Sequence, residues 1–286
     1  MSSSTLEFDE LRQFLSANRN ADGGWAYHPG KASRLEPTCW ALLALNLTGE
    51  AGVLEEWPSS DGLLLERRGG SANYAYHAVA LLAMRALGAR HTAGRAMLVD
   101  ALQRVRGEAL PQSTINRQDN ALQGWSWIAG TFSWVEPTAW CLLALKLWRQ
   151  AGTSVDADRI HVGERLLIDR CSRTGGWNYG NSNMLGQELK SFVPTTAAGL
   201  LAMQDRAELP EIQRSVEFLE RHGTDERAGV SLALALLALR AFRRPDGAVR
   251  DALLQQIPTT LAFGNQMAAA LTLFALGEGW RDAVIL

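Results

Sequence analysis

The sequence has few of the features that identify several large classes of protein. Its three cysteines, Cys39, Cys141 and Cys171, are too few and too widely spaced for a disulfide framework or a paired-cysteine zinc site. The 28 basic and 30 acidic residues give a net charge of −2, so no broad cationic surface for nucleic acid is predicted. No apolar run approaches the roughly 18 residues of a membrane span. Residues 1–10 lack the basic start and apolar stretch of a secretion signal, so we expect a cytoplasmic protein.

Tryptophan and glycine are prominent instead, with 10 and 26 copies, and many of them belong to an internal repeat. Each repeat has a Gly-Trp loop, followed by Pro-Thr and an apolar run. The three clear copies occupy residues 20–45, 124–145 and 174–203. In the first two copies, twelve positions separate the loop tryptophan from the proline, and both copies read Glu-Pro-Thr at that point. Self-similarity of this kind is typical of architectures that stack one supersecondary unit.

Each Pro-Thr pair is predicted to open a helix, with proline at the first helical position, where its missing N–H is not needed. The residues that follow are apolar on nearly all sides, which is typical of a buried helix. Three further segments share this character without the Pro-Thr opening: 74–87, 230–242 and 267–276. Six amphipathic segments alternate with these helices: 6–16, 52–65, 93–105, 157–168, 211–221 and 248–256. The second of them is the poorest, because Pro58 and Gly62 interrupt it.

No alternating run rich in Val, Ile or Thr indicates a sheet. Alternation of six buried with six amphipathic helices is what a double ring of helices requires, with one set inside the other. The sequence therefore predicts a single all-α domain over residues 1–286, an (α/α)6 barrel of six inner and six outer helices. No linker divides it.

The Gly-Gly-Trp loop with its Glu-Pro-Thr-x-Trp-x-Leu-Leu-Ala-Leu helix resembles the repeat shared by squalene and hopene cyclases and the β subunits of protein prenyltransferases. That resemblance implies a toroid of helices and an isoprenoid or similar apolar substrate in its centre. The same superfamily also includes the thioester domain of complement and α2-macroglobulin proteins, which is likewise a single ring of this size. Fold alone therefore does not choose between cyclase, transferase and binding module.

The chain departs from the family's motifs in ways that narrow the chemistry. It lacks the Asp-x-Asp-Asp-Thr-Ala sequence whose middle Asp protonates the substrate in those cyclases. Alignment on the Thr-Ala pair sets Glu136 at the position of that acid, and Glu36 is its equivalent in the first repeat. Trp134 and Pro137 replace the flanking aspartates. The prenyltransferase zinc spacing, the thioester sequence and a diphosphate-magnesium motif are also missing, so no metal or cofactor is expected.

Glu36 and Glu136 allow three interpretations. A carboxylate in the first turn of a helix is stabilised by the macrodipole and accepts backbone N–H groups, which makes both residues structural. Burial in a tryptophan-rich pore would instead raise the pKa and keep one carboxyl protonated, as a general acid requires. Two carboxylates on one rim could also act as the acid/base pair of a glycoside hydrolase.

The aromatic residues of the repeat loops are the candidate substrate contacts. Trp25, Trp125 and Trp177 all precede inner helices and must collect at one end of the barrel, where they either staple neighbouring helices or contact substrate. Their neighbours Tyr27, Trp127, Trp134 and Tyr179 are expected to line the mouth, where aromatic faces would bind a polyprenyl chain or stabilise a carbocation.

Polar residues also stand at the starts of the inner helices that lack Pro-Thr. We expect Asn73, Tyr76, Arg227, Asn265 and Gln266 to serve mainly as caps and turn formers. His77, beside an apolar run, is expected to be either a satisfied core histidine or a further substrate contact. The loop at 176–192 is the longest at that end, and long loops above a rigid rim often contact ligands.

Three functions are thus expected as alternatives. The leading hypothesis is an acid-initiated, terpene-cyclase-like enzyme with Glu136 as acid and Glu36 as its partner. The second is a non-catalytic module that holds a peptide, lipid or protein partner at the same end of the ring. The third is a carbohydrate-active enzyme with paired carboxylates in a polar groove. What lines the pore decides between them, and hydrophobic periodicity does not reveal it.

Overall fold

The computed structural model describes residues 3–88 and 92–286, and these ranges are predominantly α-helical. Six helices are largely buried and follow the predicted apolar segments. They are α2 (Leu35–Ala44), α4 (Tyr74–Ala86), α6 (Val135–Gln150), α8 (Val193–Ala202), α10 (Gly229–Ala241) and α13 (Gln266–Leu276). The others are α1 (Ser3–Ala17), α3 (Gly52–Glu55), α5 (Thr92–Arg104), α7 (Ala157–Arg170), α9 (Pro210–His222), α11 (Gly247–Gln255), α12 (Ile257–Phe263) and α14 (Trp280–Val284). All-α is therefore the correct fold class.

The six buried helices contact one another in a closed circuit. Helix α2 packs against α4, α4 against α6, α6 against α8, α8 against α10, and α10 against α13. Helix α13 then packs against α2, which returns the circuit to its start. The amphipathic helices lie on this set: α1 on α13, α5 on α4 and α6, α7 on α6, and α9 on α8 and α10. The buried helices are apolar on nearly all sides because other helices cover them, whereas each amphipathic helix buries only the apolar face that rests on them.

The prediction of an amphipathic helix over residues 52–65 is correct only for its first turn. Helix α3 ends at Glu55, and strands β1 (Ser59–Ser60) and β2 (Leu63–Leu64) then form a short antiparallel hairpin. Its two-residue turn, Asp61-Gly62, has φ values of 53° and 79°. Positive φ at both central positions is what a type I′ hairpin turn needs, and Asp-Gly is a preferred pair for it. A second hairpin pairs β3 (Asn183–Met184) with β4 (Gln187–Glu188), although no strand was predicted there.

The prolines do not occupy the first helical position as predicted. Pro37 and Pro137 are the third residues of α2 and α6, and Pro194 is the second residue of α8. Proline is tolerated throughout the first turn because the N–H groups there have no partner within the helix. The shift places Glu36 and Glu136 inside their helices, each as the second residue.

No helix in the described ranges is both long and apolar enough to cross a bilayer. The core consists mainly of leucines and alanines of the six buried helices, joined by apolar side chains of the amphipathic helices and by the loop tryptophans. Several helix starts are tied to the loop of the neighbouring repeat by a backbone hydrogen bond. The N–H donors and carbonyl acceptors are Leu35 to Glu66, Tyr74 to Trp127, Val135 to Tyr179 and Gln266 to Tyr27. These bonds, of 2.8 to 3.0 Å, hold the aromatic loop residues at the amino-terminal end of the helix circuit.

Candidate functional site at the amino-terminal end of the helix circuit

The three loop tryptophans are staples between helices. Trp25, Trp125 and Trp177 are all fully buried. Each backbone N–H donates to a threonine hydroxyl in the following helix, and each indole N–H donates to a carbonyl of an amphipathic helix. The acceptors are Thr38 and Leu15, Thr138 and Leu102, and Thr196 and Leu167, at 2.7 to 3.0 Å. With no exposed surface and both donors satisfied, these indoles pack the fold and offer no face to a ligand.

His77 performs the same structural task for helix α4. It is the fourth residue of its helix, as Thr38 and Thr138 are of theirs. Its Nδ1 accepts from the N–H of Leu64, and its Nε2 lies 3.0 Å from the carbonyl of Leu98. Burial lowers the pKa of His77 to about 4 because the charged ring is poorly solvated there. The ring is therefore neutral at physiological pH, and backbone groups occupy both of its nitrogens.

Aromatic side chains fill the centre of the circuit one turn below the helix starts. The rings of Trp40 and Trp140 meet edge to face with centroids 5.7 Å apart, and Phe274 lies 5.7 Å from Trp40. All three are buried. Because α2 and α6 are not neighbours in the circuit, rings from these helices can meet only across its centre. Edge-to-face contacts at this separation are favourable, so the centre is packed at this depth.

The two candidate carboxylates lie directly above this aromatic layer. Glu36 precedes Trp40 by four residues, and Glu136 precedes Trp140 by four, so each pair shares one helix face. Both carboxylates are partly buried. Burial, assisted by repulsion from Glu136, raises the pKa of Glu36 to about 7. Burial also raises the pKa of Glu136, against a hydrogen bond from the Trp140 indole that lowers it.

Two tyrosines complete the surroundings of Glu36. The Tyr27 hydroxyl donates to Glu36 Oε2 at 2.6 Å, and a further hydrogen bond comes from Tyr76. Burial and the charge of Glu36 raise the pKa of both tyrosines, so their hydroxyls stay protonated and act as donors. These donors are neutral. Glu36 is thus oriented by the Tyr27 and Tyr76 hydroxyls, with a further hydrogen bond from the Trp40 side chain.

The outer rim carries further aromatic pairs. Tyr76 packs edge to face on Trp127, with centroids 6.3 Å apart. Tyr179 is exposed and lies 5.3 Å from the Phe192 ring, and burial and the charge of Glu136 raise the pKa of Tyr179. Trp134 stacks on Phe132 at 4.7 Å. We call this set the aromatic collar of the two carboxylates; it comprises Tyr76, Trp127, Phe132, Trp134, Tyr179 and Phe192.

Of the sequence-predicted residues, the structure brings Glu36, Glu136, Tyr27 and Trp127 together, with Tyr179 and Trp134 on the rim. It places Trp25, Trp125, Trp177 and His77 in the packing around this group. Sequence reasoning missed Trp40 and Trp140, although their spacing of four from each glutamate was a usable signal. Tyr76 is predicted mainly as a cap or turn residue, yet its hydroxyl is hydrogen-bonded to Glu36. The capping role belongs to Asn73, whose side chain accepts from the Tyr76 N–H at 3.2 Å.

No protein-family model and no curated protein matches this sequence. Within residues 3–88 and 92–286, no three His, Cys, Asp or Glu side chains cluster in a way that could hold a metal ion. The candidate chemical groups at this end of the molecule are the two carboxylates and their aromatic neighbours.

Proposed function

We propose that the chain is a single (α/α)6 barrel of the cyclase and prenyltransferase superfamily, with the six buried helices as its inner ring. The closed circuit of helix contacts supports this architecture. The three Gly-Trp loops support the family, because each staples an inner helix to an outer one through the same pair of hydrogen bonds. Repetition of one packing solution around a ring is what a repeat architecture of this kind needs.

We further propose that the protein is an enzyme that protonates an isoprenoid or similar apolar substrate at the mouth of this barrel. The observation that carries the proposal is the position of Glu36 over the Trp40–Trp140 layer, with a pKa of about 7. A general acid works best when its pKa lies near the operating pH. Sequence alignment favoured Glu136 as the acid. The hydrogen bond from Tyr27 and the raised pKa favour Glu36, with Glu136 as its partner.

In this mechanism the protonated Glu36 transfers its proton to an alkene or epoxide of the substrate, and the carboxylate is left hydrogen-bonded by Tyr27 and Tyr76. The positive charge that develops on the substrate carbon faces the rings of the collar. Cation–π attraction to Trp or Tyr is worth about 0.5–2 kcal/mol per ring, more when water is excluded. The product cation would then lose a proton to the Glu136 carboxylate, and transfer of a proton from Glu136 back to Glu36, directly or through water, would restore the starting state.

The test is product analysis with matched variants. Purified protein would be incubated with squalene, geranylgeraniol and farnesol at pH 6.5, and extracts would be analysed by gas chromatography and mass spectrometry. Glu36→Gln should abolish turnover, and Glu136→Gln should slow it strongly, with both variants folded. Glu66→Gln is the control, because Glu66 pairs with Arg34 outside the carboxylate pair and should leave turnover unchanged. Full activity of Glu36→Gln would refute the assignment of the acid.

A binding module is the second candidate, and the packed centre favours it. Trp40, Trp140 and Phe274 pack in the centre of the circuit below the carboxylates, so a ligand would have to bind above these rings. In that case the same isoprenoids would bind, with changes in tryptophan fluorescence, and be recovered unchanged. Glu36→Gln would then retain the affinity of the unmodified protein.

A further inference from the structure

The two carboxylates at the mouth of the helix circuit have no basic partner. Within residues 3–88 and 92–286, no ion pair includes Glu36 or Glu136. Arg34, the basic residue nearest to Glu36 in the sequence, pairs with Glu66 at 2.5 Å instead. A carboxylate that is partly buried without an opposite charge is poorly stabilised. A positively charged ligand would supply the missing partner.

Neutral donors already occupy most of the hydrogen-bonding capacity of Glu36. They are the Tyr27 hydroxyl, at 2.6 Å, the Tyr76 hydroxyl and the Trp40 side chain. An ionised carboxylate offers about four acceptor positions, so about one remains free. The three donors orient the carboxylate but bring no positive charge to it. A ligand that carries charge without N–H donors of its own therefore suits Glu36 better than one that needs several acceptors.

Aromatic rings lie beside and below the same carboxylates. Tyr76 packs on Trp127 in the aromatic collar, with ring centroids 6.3 Å apart, and both side chains are partly exposed. The Trp40–Trp140 pair lies one helical turn below. The face of an aromatic ring attracts a cation within about 6 Å, and rings grouped in this way recognise alkylated ammonium ions. Unpaired negative charge and aromatic surface thus occur at one place.

The other half of the mouth is apolar. The order of contacts around the circuit puts α2, α4 and α6 on one side and α8, α10 and α13 on the other. The second residues of the latter three helices are Pro194, Val230 and Met267, and all three are partly exposed. Such a surface offers nothing to a hydrated metal ion, whereas the alkyl groups of an organic cation can pack on it.

We propose that the mouth of the helix circuit binds a quaternary ammonium ion, with the charged nitrogen beside Glu36 and Glu136 and the alkyl groups on the aromatic and apolar surfaces. The inference rests on the proposed function in that both use these two carboxylates, but binding requires no proton transfer. A quaternary ion is preferred to a primary amine because it has no N–H groups that need acceptors.

The experiment compares choline with 3,3-dimethylbutan-1-ol, which has the same shape but a carbon atom in place of the charged nitrogen. Neither compound has an alkene or epoxide to protonate. Isothermal titration calorimetry at pH 8, above the pKa of about 7 of Glu36, gives the affinity. The indole N–H signals of Trp40 and Trp140 in ¹⁵N-labelled protein give the location. We expect choline to shift these signals and to bind at least about tenfold more tightly than the alcohol.

Matched variants test the role of the carboxylates. Glu36→Gln and Glu136→Gln should each weaken choline binding about tenfold, because each removes one negative charge and little volume. Trp127→Leu should weaken it severalfold through the loss of a collar ring. Glu208→Gln is the control, because it removes an exposed carboxylate that precedes helix α9 and should leave choline binding unchanged.

The comparison of choline with its neutral analogue uses the unmodified protein, so it does not depend on how any variant folds. The proposal is overturned if the two compounds bind equally well, if Glu136→Gln and Glu208→Gln behave alike, or if choline at about 10 mM shifts neither indole signal. Tighter binding of ethanolamine than of choline would overturn the choice of a quaternary ion. Turnover of isoprenoids without choline binding would overturn this inference alone, whereas choline binding without turnover would support it and count against the proposed reaction.

Discussion

Replacement of Glu36 by Gln should change how stability depends on pH. Burial raises the pKa of Glu36 from 4.5 to about 7, so between these values the folded protein binds more protons than the unfolded chain. The contribution of Glu36 to stability is therefore fully present below pH 4.5 and is lost as the pH rises through 7. A change of this size corresponds to about 3 kcal/mol for a fully desolvated group. Partial exposure of the side chain reduces the expectation to about 1–2 kcal/mol.

Urea unfolding followed by circular dichroism at pH 5 and pH 8 measures this effect. Relative to the unmodified protein, Glu36→Gln should gain about 1–2 kcal/mol between pH 5 and pH 8, because glutamine has no charge to bury. Glu136 is present in both proteins, so most of its own titration cancels. Glu66→Gln loses an ion pair with Arg34 and should show no such gain at pH 8. Parallel stability curves for Glu36→Gln and the unmodified protein would refute the reasoning, because they would mean that the Glu36 carboxylate is well solvated.

Two further substitutions test the packing that supports the site. Trp125→Phe loses the indole hydrogen bond to the Leu102 carbonyl and part of a buried ring, so the free energy of unfolding in urea should fall by about 2–4 kcal/mol. Trp127→Phe, on the rim, is the control and should lower it by less than about 1 kcal/mol. Equal losses in the two variants would contradict the role of Trp125 as a staple between helices. Lys146→Met removes the 2.7 Å ion pair with Glu164 and the ion pair with Asp205, and leaves Glu164 paired with Arg206 alone. It should cost about 1–3 kcal/mol by the same measurement, whereas an unchanged midpoint would mean that these ion pairs contribute nothing net.

Much of the helical structure follows from the sequence because its signals are local. An all-apolar run can be buried only as an inner element, so the bounds expected for α4, α10 and α13 agree with the structure to within about a residue. Asn265 was expected as a cap, and its side chain accepts from the N–H of Ala268 at 3.0 Å. The helix predicted over 52–65 failed because an Asp-Gly turn of positive φ outweighed a weak amphipathic pattern.

The candidate site was only partly predictable because side-chain direction within a buried helix is not a local property. Every face of α2 is apolar or buried, so periodicity gives no indication of which face meets the centre of the circuit. The contact between Trp40 and Trp140 fixes that direction, and with it the position of Glu36.

Comparison of the six buried helices distinguishes two kinds of position near their starts. The fourth residue is a threonine or histidine wherever a loop backbone N–H must be held. The second residue, which lies above the centre, varies around the circuit: Glu36, Ala75, Glu136, Pro194, Val230 and Met267. Only α2 and α6 have a carboxylate at this position. The charges of Glu36 and Glu136 both raise the pKa of Tyr76, which lies on the intervening helix α4.

A structural role such as helix capping would suit every one of the six buried helices equally, so it does not explain why acids occur at only two of the six corresponding positions. Two interacting carboxyl groups with Tyr76 between them do account for that distribution. The tryptophans also fall into two groups, those in the loops and those in the helices below the two acids. Those in the loops recur with one set of hydrogen bonds and join neighbouring helices, whereas Trp40 and Trp140 occur only below the two acids. The carboxylates and the indoles beneath them therefore form one unit, and we expect function to depend on both.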